Sequence, residues 1–222
     1  MSKTSTLIAS CLLSASMLSA TSAFAHGTMP FHYKVTITNL TPGQPLTPVM
    51  VASHFPGVQF FKAGEAPSDE LAMLAEAGNG QPMADKLAAM PKVDEATVSS
   101  MGLTFPGKST TVMISAKHRF DHISVAAMLG ATNDAFFAIK DMSLPWGRSS
   151  VSYMAPAYDA GSETNDELSS TVAGLGGEGY SPNDDGEGFI HIHNGVHGIG
   201  DLTPAIFDWR NPVAKITIER VK

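Results

Sequence analysis

Apolar and polar residues alternate along most of this chain with a period of two. In 33–38 and 214–219 the apolar side chains fall on one face and the polar ones on the other, as a half-buried strand requires. The same pattern predicts further strands at 48–54, 110–117, 123–129, 135–142, 150–154 and 188–193. Gly, Pro, Asn and Asp clusters separate them. Many short strands in a chain of this length predict an all-β fold, an antiparallel sandwich or barrel.

The segment 68–90 departs from this alternation and has the pattern of two helices. Ser68 is suited to cap the first helix, acidic residues occupy its first turn, and Gly78 is suited to end it. Pro82, a good first helical residue, opens a second helix that ends before Pro91. We interpret both as a short helical excursion from one β domain.

The N-terminus has the pattern of a secretory signal peptide. Lys3 supplies a positive start, 7–20 is mostly apolar and small, and an Ala-Phe-Ala cleavage signal ends at Ala25. We therefore expect an exported protein, periplasmic or secreted, with a signal peptide at 1–25 and a single domain at 26–222.

Charge and composition exclude several kinds of partner. The net charge is −7 and no basic run occurs, which argues against nucleic acid or an anionic membrane surface. The apolar run of the leader is short and interrupted by serines, so we expect no membrane span. Cys11 is the only cysteine. It leaves with the signal peptide unless it is the lipidated cysteine of a lipobox, which is the alternative interpretation.

Catalytic signatures are missing from the sequence. Residues 102–109 fit the phosphate-binding pattern GxxxxGK[ST], but the alternating β-branched residues that follow predict a strand where the mechanism needs a helix. Neither HExxH nor GxSxG occurs. We therefore expect no enzymatic activity, and a hydrolase that uses clustered carboxylates is the remaining enzymatic alternative.

The segment 157–167 (AYDAGSETNDE) concentrates oxygen ligands, with four carboxylates in eleven residues. A tight turn at Gly161 would aim Asp159 and Glu163 at one point. A hard cation takes about six to eight oxygen ligands, so a remote donor is also required. The pair Asn133-Asp134, which opens an apolar strand at the expected rim of the sandwich, is the best candidate. The alternative is a flexible, solvated loop.

Three histidines form a second candidate metal site. His191 and His193 are two residues apart on a predicted strand, so both side chains leave the same face. His197 follows a predicted turn that would fold it back towards them. Imidazoles gathered in this way suit zinc or copper, and His26, freed by cleavage, is a further candidate ligand. The alternative is that these histidines hold the loop through hydrogen bonds.

Six segments, taken in order, resemble the spondin domain, the N-terminal-type module of F-spondin and of many short exported bacterial proteins. They are YKVTITNLTPGQPLTPVMVASH (33–54), EAPSDELAMLAEAG (65–78), ATNDAFFAI (131–139), YDAGSETNDE (158–167), HIHNGVHGIGDL (191–202) and FDWRNPVAKITI (207–218). The resemblance implies a β-sandwich without enzymatic activity that binds one calcium ion at its rim. It also implies a binding or adhesion-type role, with an extracytoplasmic protein or glycan as partner.

The resemblance also implies the calcium ligands. The family positions match Asp134, Asp159 and Glu163, although residue 163 is Glu where the family pattern has Asp. Animal members carry cysteines, and this chain has none after cleavage, so adhesion to matrix partners is not carried over. The leading hypothesis is an exported, non-enzymatic calcium-binding module. The alternative is a periplasmic copper- or zinc-binding protein that uses His191, His193 and His197.

Overall fold

The computed structural model describes residues 29–183 and 185–221, so the predicted signal peptide and His26 lie outside the described residues. The ten strands of the described chain are β1 (Phe31–Asn39), β2 (Met50–His54), β3 (Val93–Val98), β4 (Ser109–Ala116), β5 (His122–Met128), β6 (Ala135–Ser143), β7 (Ser150–Ala155), β8 (Ala157–Asp159), β9 (His191–Ile192) and β10 (Ala214–Val221). Its helices are α1 (Asp69–Ala77), α2 (Gln81–Ala88) and α3 (Pro204–Phe207), and one short 3-10 helix spans Ala173–Leu175.

The strands form two antiparallel sheets that pack as an open sandwich, which confirms the predicted fold class and excludes the barrel. The four-stranded sheet has the order β4-β1-β10-β7, and the six-stranded sheet has the order β3-β2-β5-β6-β8-β9. The alternation of β1 explains its position, because Tyr33, Val35 and Ile37 point into the core between the sheets while their neighbours are part-exposed.

The six-stranded sheet is covered on both faces. Phe137 of β6 belongs to the core between the sheets, whereas its neighbour Phe136 belongs to a second core beneath α1 and α2. Burial on both faces explains why β5 and β6 are almost continuously apolar.

The helical excursion predicted at 68–90 is confirmed, since α1 and α2 both lie within it. Gly78 ends α1 in the left-handed conformation, φ 65°, but the Ser68 side chain makes no capping hydrogen bond.

Two strands were not predicted, and one is shorter than expected. β3 is an edge strand whose residues after Val93 are all part-exposed, so its pattern is weak. β8 has only three residues, inside the segment interpreted as a turn, and β9 has two where 188–193 was predicted. No helix of the described residues is long and apolar enough to cross a membrane.

Strands β6, β8 and β9 bring the candidate metal ligands to one rim of the sandwich. Ala135 of β6 pairs with Asp159 of β8, which in turn pairs with His191 of β9. Residues that pair across a ladder share a face, and Ala135 belongs to the core between the sheets. Asp159 and His191 therefore point to the inner side of the rim, and Asp134 lies immediately before β6.

Candidate metal centre

Asp134 is a buried carboxylate in which only one of the two oxygens accepts hydrogen bonds. Its exposed fraction is 0 %, and its Oδ2 accepts the backbone N–H groups of Ser162 at 2.8 Å and Glu163 at 3.2 Å. Its Oδ1 is buried with no hydrogen-bond partner among the described residues. Burial, and then the charge of Asp159, raise the pKa of Asp134 well above its usual range. Such an oxygen is costly to bury unless something compensates it, and a cation would do so.

Asp159 is the second buried carboxylate of the rim. Its Oδ1 accepts the Gly161 N–H at 2.8 Å, and its Oδ2 accepts an N–H of Asn165 at 2.9 Å. Burial, and then the charge of Glu187, raise the pKa of Asp159. Among the described residues, neither Asp134 nor Asp159 forms an ion pair with a lysine or arginine. Nearby lysines or arginines therefore do not offset the negative charge of this pair.

Glu163 reaches the rim through the turn that follows β8. Gly161 has φ 67°, and a Cβ at this position would lie 2.4 Å from the carbonyl oxygen of Phe189. This conformation and this close approach both require glycine. Glu163 is buried, and its Oε1 accepts an N–H from Asn133 at 3.2 Å. The three predicted calcium ligands thus share one rim, joined by the hydrogen bond from the Glu163 N–H to Asp134.

The tightest group of metal-ligand atoms is a neighbouring one, formed by Asp159, Glu187 and His191. One ligand atom from each residue lies within 4.8 Å of the other two, and this is the one such group of three among the described residues. The exposed Glu187 was not predicted. Its loop packs closely on the turn after β8. The approach leaves no room for a side chain at Gly186, where a Cβ would lie 2.5 Å from the Gly161 carbonyl oxygen. The sequence signal for Glu187 is weak, a four-residue separation from His191 in a Gly-rich loop.

His191 is oriented as a metal ligand would be. Its Nδ1 lies 3.1 Å from the Ile192 carbonyl oxygen, which accepts the Nδ1–H of the neutral ring. The lone pair is therefore on Nε2, which lies 3.9 Å from Oδ1 of Asp159. A ligating imidazole that donates its other N–H to a backbone carbonyl is the usual arrangement in metal sites.

His193 has the opposite arrangement. Its Nδ1 accepts the Gly195 N–H at 2.9 Å, so the neutral ring carries its proton on Nε2, 3.7 Å from Oδ2 of Asp159. Burial lowers the pKa of His193 to about 4, and the ring packs against Trp209 with centroids 5.0 Å apart. Neither nitrogen of this tautomer offers a free lone pair, so His193 is oriented to hold the loop and not to ligate a metal.

His197 is placed apart from the other two histidines. Its side chain is 58 % exposed, and its Nδ1 lies 3.7 Å from Oε1 of Glu167. The Glu167 carboxylate accepts the consecutive backbone N–H groups of His197, Gly198 and Ile199 at 2.5, 2.6 and 3.0 Å. The tight ligand group of the described residues contains His191 but neither His193 nor His197.

No protein-family model matches the chain, and the comparison with curated proteins finds no match. The resemblance to the spondin domain therefore remains a prediction that rests on the six sequence segments.

Proposed function

We propose that this protein is an exported, non-enzymatic binding module of the spondin type, and that its rim binds one calcium ion through Asp134, Asp159 and Glu163. The observation that carries the proposal is the buried pair Asp134 and Asp159. No lysine or arginine of the described residues pairs with either carboxylate, and Oδ1 of Asp134 has no donor there. A cation at this place removes both penalties at once.

The donor set favours calcium over other cations. The three proposed ligands Asp134, Asp159 and Glu163 are all carboxylates, whose oxygens are hard ligands. Calcium tolerates irregular coordination with a mixture of such oxygens, whereas magnesium requires a near-ideal octahedron. The Asp134, Asp159 and Glu163 carboxylates form no group as tight as that of Asp159, Glu187 and His191. Calcium binding would therefore draw Asp134 and Glu163 inward.

The ion would act as a cross-link between segments that are distant in sequence. Asp134 precedes β6, while Asp159 and Glu163 begin and end the turn after β8. Gly188 N–H donates to the Gly161 carbonyl at 2.8 Å, so the following loop is tied to that turn. Calcium would thus stabilise the fold and fix the shape of the rim, which we propose as a recognition surface for an extracytoplasmic protein or glycan.

Thermal unfolding tests the proposal. Calcium added to chelator-treated protein should raise the melting temperature, because a ligand that binds only the folded state stabilises it. Asp134→Asn and Asp159→Ala should abolish the rise. Glu219→Gln is the matched control, since Glu219 is a part-exposed acid on the four-stranded sheet, away from the rim, and pairs with Lys34. A wild-type melting temperature that does not respond to calcium would reject the site.

A second candidate function is supported by the Asp159, Glu187 and His191 group. One imidazole and two carboxylates are ligands that zinc accepts, and His191 Nε2 carries the lone pair that ligation needs. This site would use Asp159 in common with the calcium site. Zinc titration of His191→Ala separates the two candidates, because this change removes the only nitrogen ligand of the group and none of the proposed calcium ligands.

A further inference from the structure

Four cationic side chains from three separate segments of the chain come together at the end of the sandwich opposite the metal centre. Two adjoining cavities share Phe31 and Arg220. We call their combined lining of Lys117, Arg119, Arg148, Arg220 and Trp146 the cationic groove. Asp134 lies before the first residue of β6, and Trp146 lies just after its last residue. The length of this strand therefore separates the groove from the metal centre.

The groove carries a local excess of positive charge on an acidic protein. Its two cavities are lined by four lysine and arginine residues and by one carboxylate, Asp121, whereas the whole chain has a net charge of −7. The sequence shows no basic run, because these cations come from the loop after β4, the loop after β6 and the end of β10. Only the fold assembles them.

Two of these cations are available to a ligand. Lys117 pairs with Asp94 at 2.7 Å, and the Arg220 guanidinium stacks 3.6 Å from the centre of the Phe31 ring. Arg119 and Arg148 are both exposed, and neither forms an ion pair within the described part of the chain. Arg119 also has φ 91°, a strained conformation for a residue with a side chain.

Trp146 presents an apolar face beside these cations. It is 68 % exposed, although Leu144, two residues earlier, is buried. The loop is anchored, because the Leu144 N–H donates to the Asp121 carbonyl at 2.8 Å and the Ser149 hydroxyl donates to the Trp146 carbonyl at 2.6 Å. An exposed indole on an anchored turn is a rigid contact surface with little side-chain entropy to lose.

We propose that the cationic groove binds an acidic polysaccharide built from uronic acids. A sugar ring would stack its C–H face on Trp146, and its carboxylates would accept paired N–H groups from Arg119 and Arg148, the geometry that guanidinium favours. An exposed indole beside two arginines that form no ion pair suits a polymer whose sugar rings each combine an apolar C–H face with one carboxylate.

The charge distribution favours this ligand over nucleic acid. Double-stranded DNA carries one charge per about 1.7 Å, so a bound duplex would bring many more charges to this acidic protein than the four cations of the groove can pair with. Single-stranded nucleic acid binds through several successive stacking aromatics, and the groove offers one exposed indole. A sparsely charged polysaccharide needs only the few cations that are present.

The test is a calorimetric titration of the full-length exported protein with a galacturonate hexamer in chelator-treated buffer of low salt. We expect binding that weakens as salt is added. Trp146→Ala, and separately the pair Arg119→Gln and Arg148→Gln, should weaken binding by about tenfold or more. Lys108→Gln and Phe105→Ala are the controls, because both residues are exposed near the opposite end of β4, and their binding should equal that of the wild type.

Four results would overturn the proposal. They are no binding of the hexamer, binding that the groove variants leave unchanged, equal binding of a neutral glucose hexamer, and tighter binding of a single-stranded oligonucleotide of the same charge. The last result would identify a nucleic-acid site in its place. Asp134→Asn should bind the hexamer as the wild type does, so failure of the calcium site and failure of the groove can be told apart.

Discussion

Asp134 and Asp159 are buried close together at one rim of the sandwich, and the charge of Asp159 raises the pKa of Asp134. The Ala135–Asp159 pairing of β6 with β8 fixes this proximity, since Asp134 directly precedes Ala135. Two buried carboxylates without a lysine or arginine partner are unfavourable in isolation. They become favourable when a cation lies between them and offsets both negative charges.

Asp134→Asn should stabilise the metal-free protein. The amide has the shape of the carboxyl group but carries no charge, so the cost of burying Asp134 without a cation disappears. We expect the free energy of unfolding to rise by about 1–2 kcal/mol in urea titrations of chelator-treated protein. In excess calcium the order should reverse, with the wild type the more stable protein. A variant that is less stable than the wild type under both conditions would show that Asp134 has a purely structural role.

The gain in unfolding free energy that Asp134→Asn brings to the metal-free protein should depend on pH. The folded-state pKa of Asp134 lies above the ordinary value of 3.8. The contribution of this carboxyl to the stability of the metal-free wild type is therefore complete below that value and is lost as the pH rises towards the folded-state pKa. The gap in unfolding free energy between variant and wild type should be widest near pH 7 and close towards about pH 4. His193, whose lowered pKa acts in the opposite direction, is common to both proteins and cancels in the difference.

Zinc binding should depend on His191 and not on His193. His191→Ala removes the nitrogen that faces Asp159, and we expect zinc affinity to fall by about tenfold to a hundredfold or more. His193→Gln should leave zinc affinity unchanged, because Nδ1 of His193 already accepts the Gly195 N–H. Competition with a colorimetric zinc chelator measures both values. Loss of zinc binding in His193→Gln with retention in His191→Ala would mean that the tautomers are assigned the wrong way round.

Gly161→Ala should damage the metal centre and the fold together. Its Cβ would clash with the Phe189 carbonyl at 2.4 Å in a strained backbone conformation, so we expect a loss of about 1–3 kcal/mol in unfolding free energy. Calcium and zinc should both bind less tightly, because the clash displaces both the turn that carries Glu163 and the loop that carries Glu187. Gly188→Ala is the control, since it has a similar φ of 78° but its Cβ would contact nothing within 4 Å. If Gly161→Ala and Gly188→Ala lowered the unfolding free energy equally, the close approach of Gly161 to the Phe189 carbonyl would not be the cause of the loss.

The sequence predicts those features of the fold that depend on local pattern. Alternation identifies β1 and β10, whose buried residues recur at every second position. The stop at Gly78 follows from the left-handed conformation that glycine adopts easily. β8 could not be found in this way, because three residues are too few to show a period. It exists because its neighbours β6 and β9 supply hydrogen bonds on both sides.

Part of the candidate site can likewise be predicted from local sequence, whereas the rest depends on contacts between segments that are distant in the sequence. The turn from Asp159 to Glu163 can be predicted from its spacing, since a glycine between two acids permits it. Glu187 could not be predicted, because its proximity to Asp159 depends on a glycine contact between two loops. Equal spacing also made His191 and His193 look equivalent, whereas their hydrogen bonds give them different tautomers. Position along a strand determines which face a side chain occupies but not its protonation.

The most direct test of the calcium site is the stoichiometry of calcium bound to chelator-treated protein, measured by calorimetric titration of the wild type, Asp134→Asn and Glu219→Gln. We predict one calcium ion per chain for the wild type and for Glu219→Gln, and none for Asp134→Asn. The titration should extend to about 10 mM calcium, because weak extracellular-type sites have dissociation constants as high as about 1 mM. No calcium bound to the wild type over that range, or equal binding by Asp134→Asn, would contradict a calcium site at this rim.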